Sequence, residues 1–179
     1  MPASVIYRHD IMPSRSAGAP RACTLNPMLL ILRPAVLVSL LLVSLPFAAQ
    51  EQGAWMADSQ NARTITGPVA LAAQKITINF LSFPMVKVRT LAESEMAAAF
   101  DAPAGASHNG SLYRLNISSA TKLLRKNSLC GGDDTEWMAT YVSGRSLQLA
   151  FFSGDKPPVF TLDALANSTD LCGTFTYLR

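Results

Sequence analysis

Histidine and cysteine are nearly absent from this sequence: His9, His108, Cys23, Cys130 and Cys172 are the whole supply. Beyond residue 49 a single histidine remains, too few for a zinc site of the usual kind. No Cys-x-x-Cys pair occurs, which excludes thiol-disulfide exchange, and no Gly-x-Ser-x-Gly elbow marks a hydrolase nucleophile. Long basic runs are missing too. From Gln50 to Arg179 eleven Lys and Arg balance eleven Asp and Glu, and Arg125-Lys126 is the longest cationic run. A neutral domain of this kind has little pull on phosphate backbones, so nucleic acid is excluded as a partner. No cofactor and no metal are expected.

Apolar runs are short, with one exception. Ala35 to Ala49 is apolar for 15 residues between Pro34 and the polar Gln50, with Pro46 near its end. That is short of the roughly 20 residues needed to cross a bilayer and within the about 7 to 15 of a signal-peptide core. Arg8, Arg15, Arg21 and Arg33 make the flank before it basic. The pattern predicts a signal peptide over 28–49, with Met28 as the start and residues 1–27 as an upstream extension or a misassigned start. Cleavage is expected near Ala49. The Ala70-Leu71-Ala72 match lies too far downstream. An uncleaved leader would be the only membrane contact.

Removal of the leader also removes Cys23, leaving an even pair. In an oxidising compartment, Cys130 and Cys172 most simply form one bridge, worth ~4 kcal/mol by chain entropy, the alternative being two buried free thiols. The 130 residues from Gln50 suffice for one domain with a real core and not for two.

Residues 50–74 are polar and lack sustained periodicity, which predicts a flexible N-terminal arm ahead of a single globular domain over 75–179. Alternation at Ile76, Ile78 and Phe80, and β-branched residues around Val86 and Val88, predict strands separated by Pro84. Thr90-Leu91-Ala92-Glu93 matches a capping box for a helix through Phe100. Ser111 to Asn116 reads as a strand. Ser118 or Ser119 caps a second expected helix with Ala120, Leu123 and Leu124 on one stripe and Lys122, Arg125 and Lys126 near its end. Glu136 to Phe152 reads as a hairpin turning at Ser143-Gly144-Arg145, its second strand central because both faces are apolar. A helical turn over Leu162 to Ala166 and a strand over Thr174 to Tyr177 complete the expectation: an α+β fold with a small antiparallel sheet of five or six strands, one or two packed helices and one disulfide.

The order Leu129-Cys130-Gly131, Trp137, Tyr141, Leu147 to Gly154 and Leu171-Cys172-Gly173 through Tyr177 resembles small exported bacterial proteins with paired Leu-Cys-Gly triplets and no assigned function. The resemblance implies export, one disulfide and a compact mixed fold. It implies no activity.

Candidate chemistry is sparse. Asp133, Asp134 and Glu136 cluster beside two glycines but lack the ligand spacing of a calcium loop, so a solvated hairpin entrance is expected. His108, beside Ser107, would be the base of a small hydrolase with these acids nearby; an exposed loop histidine is the plainer expectation. Trp137, Tyr141, Phe151, Phe152, Phe175 and Tyr177 either line a ligand groove or pack the core, and a domain this size favours the core. Three Asn-x-Ser/Thr sequons begin at Asn109, Asn116 and Asn167 and matter only in a glycosylating host. The functional expectation is a periplasmic or secreted accessory protein, non-catalytic, with a protein or small-molecule partner.

Overall fold

The structure is a computed structural model and describes residues 51–106 and 109–179. The leader and upstream extension expected over 1–49, and the pair Ser107-His108, lie outside the described residues. The described chain forms eight strands: β1 (Gly53–Ala57), β2 (Val69–Ala72), β3 (Lys75–Ile78), β4 (Leu81–Thr90), β5 (Gly110–Ile117), β6 (Thr135–Ser143), β7 (Ser146–Phe152) and β8 (Leu171–Leu178). Two helices, α1 (Glu93–Phe100) and α2 (Leu162–Ala166), lie in the β4–β5 and β7–β8 connections. Every strand pairs antiparallel with its neighbour in sequence, and β1 pairs with β8 through Met56 opposite Leu178 and Ala57 opposite Tyr177. The sheet is therefore a closed barrel of eight strands. It is not the five- or six-stranded sheet expected from the sequence.

The correction has a definite source. The expected arm over 50–74 supplies β1, a π-helical turn over Ala62–Thr66, and β2. These strands are only five and four residues long, and their outward residues Ala54, Ala70 and Ala72 give no apolar/polar contrast to read. Their inward residues Trp55, Val69 and Leu71 are buried.

Alternation then separates two cores. Inside the barrel lie Trp55, Val69, Leu71, Ile76, Ile78, Met85, Tyr113, Leu115, Met138, Leu147, Leu149, Phe151, Phe175 and Tyr177. Eight strands enclose just enough room for such side chains, and Phe151 meets Phe175 edge-on with centroids 5.4 Å apart. The outward residues of β5, β6 and β7 form a second core, with Leu112, Trp137, Ala139, Tyr141, Ala150 and Phe152 packed under Leu91, Met96, Phe100 and Phe160. Both faces of β7 are buried and it is flanked by β6 and β8, as its continuous apolar run predicts.

Helix α1 starts two residues later than the expected capping box. Glu95, not Glu93, turns back to accept from the Ala92 N–H at 2.8 Å, and Arg89 clamps its carboxylate with contacts of 2.5 and 2.7 Å. The helix expected after Ser118 is absent: only Leu124–Lys126 form a 3-10 turn, and Arg125 and Lys126 take positive φ, which an α-helix does not allow. Pro84 lies inside β4 opposite Lys75 and does not divide the strand; the Met85 N–H after it donates to the Gln74 carbonyl at 2.9 Å, the pattern of a non-hydrogen-bonded pair, in which the missing proline N–H is not needed.

Candidate functional site

Strand directions give the barrel two different ends. One carries the β2–β3 turn, α1, the β6–β7 turn and the start of β1. The other carries the π-helical turn, the β3–β4 turn, the 118–134 loop and the 153–170 segment.

At the first end sits a buried carboxylate that the sequence reading missed. Glu51 accepts from Ser111 Oγ at 2.9 Å, Tyr113 Oη at 2.5 Å and Thr140 Oγ1 at 2.9 Å, and its carbonyl accepts from Trp55 Nε1 at 3.0 Å. Ser111, Tyr113 and Thr140 are inward residues of β5 and β6, so alternation alone aims their hydroxyls at one point. Desolvation first, and then the Glu51 hydrogen bond, push the Tyr113 phenol well above its ordinary range. Beside Glu51 the barrel mouth holds a pocket of 110 Å³ lined by Leu71, Met85, Lys87 and Tyr113. That admits a few waters and falls short of the roughly 300 Å³ at which small-molecule sites begin. Deeper in, Tyr177 and Thr66 share a hydrogen bond of 2.7 Å, and burial raises the Tyr177 phenol likewise.

At the opposite end, Cys130 in the 118–134 loop is bonded to Cys172 in β8, with Cα atoms 4.7 Å apart. The bridge joins the entrance of β6 to that of β8, across β7. The segment it anchors is a loop, since the helix expected after Ser118 is only a short turn over Leu124–Lys126. Next to it Asp133, Asp134, Glu136, Asp155 and Asp170 border an open cleft. The Ser119 N–H donates to Asp134 at 2.7 Å and holds its carboxyl below the usual range. Glu136 is ion-paired to Arg114 and accepts from Asn116 Nδ2 at 3.2 Å, while the Arg114 guanidinium lies 4.6 Å over Trp137. Asp134 and Glu136 are thus engaged in structure, and among the described residues no group of three or more His, Cys, Asp or Glu is placed to hold a metal ion.

The remaining sequence candidates separate. Ala106 and Asn109, which flank Ser107 and His108, belong to the first end of the barrel, since the Asn109 carbonyl accepts from Val142 N at 3.0 Å near the β6–β7 turn. Asp133, Asp134 and Glu136 stand at the other. The six aromatics are all buried and are divided between the two cores: Phe151, Phe175 and Tyr177 inside the barrel, Trp137, Tyr141 and Phe152 outside it. They form core and not a groove. Compared with family models, curated proteins and solved structures, the chain matches none.

Proposed function

We propose that the chain is an exported accessory module, periplasmic or secreted, that recognises a partner through its outer surface and catalyses no reaction. The packed interior carries this reading. Barrels that hold ligands inside need an unfilled lumen, whereas Trp55, Phe151, Phe175 and Tyr177 fill this one and are almost wholly inaccessible. Recognition then falls to the outer wall and the loops. The Cys130–Cys172 bridge favours an oxidising compartment, in keeping with the apolar run before Gln50. A start after Ala72 would remove β1 and β2, whereas cleavage near Ala49 is compatible with the whole barrel.

Intact mass of protein recovered from the host envelope or medium, with and without alkylation, tests export. The reading expects a start near Gln50 and no alkylation before reduction. A full-length mass with reactive thiols at Cys130 and Cys172 would overturn it.

A further inference from the structure

Backbone strain in this protein is concentrated at one rim. Among the described residues five non-glycines have positive φ: Asp101, which ends α1, and then Asn79 (48°), Phe80 (67°), Arg125 (52°) and Lys126 (63°). Asn79 and Phe80 are the whole connection between β3 and β4, closed by the Ile78–Leu81 pair. A two-residue turn with both φ positive ordinarily reads Asn-Gly. Here phenylalanine takes the glycine position, and its ring is 97% exposed, with Leu81 beside it 42% exposed. An aromatic held in a strained backbone and wholly in water points to function.

The second strained tip belongs to the same rim. Leu124 Cδ1 lies only 2.9 Å from where a Cβ on Gly67 would stand, Asn127 Nδ2 donates to the Thr64 carbonyl at 3.0 Å, and Val69, two residues beyond Gly67, pairs with Ile78. Arg125 and Lys126 are thus anchored over the β1–β2 connection, which adjoins the β3–β4 turn. With Lys122 they are exposed, and none of the three forms an ion pair among the described residues. Asp133, Asp134, Asp155 and Asp170 occupy the β6–β8 side of this end, where Val159 and Leu162 are also exposed, so the rim pairs Phe80 and Leu81 with cations on one side and exposed apolar residues with acids on the other.

We propose that the cationic side is a docking face for an anionic lipid surface, with Phe80 and Leu81 entering the boundary between headgroups and acyl chains and Lys122, Arg125 and Lys126 meeting the phosphates. A convex apolar tip flanked by unpaired cations complements a soft anionic interface, and it offers no flat or concave apolar patch to a folded protein. This goes beyond the outer-surface binding argued above and does not use the leader.

All eight strands, both cores and the disulfide lie within residues 51–179, so the test uses the chain starting at Gln50. Sedimentation with phosphatidylcholine vesicles, with and without an equal share of phosphatidylglycerol, measures binding. The expected result is retention on the phosphatidylglycerol vesicles alone, weakened by salt. Phe80→Gly, which gives the turn its preferred residue and so folds at least as well, lowers the partition about tenfold or more. Replacing Lys122, Arg125 and Lys126 by glutamine lowers it about fivefold per charge. Retention on neither vesicle overturns the proposal and turns attention to a protein cleft as the seat of Phe80. Undiminished binding by Phe80→Gly, or by the triple variant, overturns it as well.

Discussion

The Tyr113 hydroxyl donates to the Glu51 carboxylate at 2.5 Å across 62 residues of sequence. With Ser111 and Thr140 on the same carboxylate, this contact fixes the segment entering β1 to the inner wall of β5 and β6. Removing the acceptor takes a partner from three buried hydroxyls, of which Thr140 Oγ1 keeps the Ser111 carbonyl at 3.3 Å. Glu51→Ala is expected to cost about 2–4 kcal/mol, read as a lower midpoint in urea with an unchanged slope. A midpoint within error of wild type would mean that the three hydroxyls find other partners.

Tyr113 and Tyr177 both have phenols raised above their ordinary value of 10.0, chiefly by burial. A raised folded-state pKa means that the neutral form is favoured by folding, so this stability is present in full below pH 10 and is lost as pH climbs through the folded values. Ultraviolet titration should show these two phenols ionising only together with unfolding. Smooth ionisation near pH 10 in a chain that keeps its near-ultraviolet circular dichroism would refute their burial.

Glu95 behaves in the opposite sense. The hydrogen bond from Arg89 is the largest influence lowering its carboxyl, and the Ala92 N–H adds to it. A lowered folded-state pKa contributes stability above the ordinary glutamate range that is lost as pH falls through the folded value. The pair is partly exposed, so Glu95→Gln is expected to cost only about 1 kcal/mol at neutral pH, with the difference from wild type vanishing in acid. A difference that persists in acid would assign the loss to packing.

Gly110 lies where β5 passes beneath α1, and a Cβ there would stand 2.7 Å from Met96 Sδ and 3.1 Å from the Thr140 carbonyl. Gly110→Ala should therefore push α1 off the second core, at about 1–3 kcal/mol. Gly132→Ala, with nothing within 4 Å of the new atom, is the control and should be close to neutral. Thermal unfolding of both variants separates the outcomes, and equal melting temperatures would contradict the packing.

Reduction of the Cys130–Cys172 bridge, which closes a separation of 42 residues, should lower stability by up to ~4 kcal/mol. Cys130→Ser should reproduce the effect without reductant. Wild-type stability in either case would show that the loop is held by other contacts.

What the sequence made legible was local. The β6–β7 hairpin was readable because Trp137, Ala139 and Tyr141 alternate with Met138, Thr140 and Val142 around a two-residue turn at Gly144, and the helical turn expected over Leu162 to Ala166 is α2, which the structure shows capped by the Thr161 side chain. The disulfide followed from cysteine arithmetic. Closure was not readable, since it depends on Met56 meeting Leu178 across most of the domain and no short-range pattern encodes that contact. The helix expected at Ser118 to Lys126 failed for a related reason: Leu123 and Leu124 have helical spacing, but they pack as a loop against the barrel's end. Glu51 was hidden because an acid at the start of a polar stretch looks solvated until the hydroxyls of two distant strands converge on it.

The central claim is that residues 51–72 complete the barrel. Hydrogen-deuterium exchange followed by mass spectrometry on the chain starting at Gln50 tests it most directly. Peptides covering Gly53–Ala57 and Val69–Ala72 should exchange as slowly as those covering Ser146–Phe152, because all three carry ladder hydrogen bonds in one cooperative sheet. Exchange of the first two at the rate of an unstructured chain, with β7 protected, would contradict the closed barrel and restore a mobile arm.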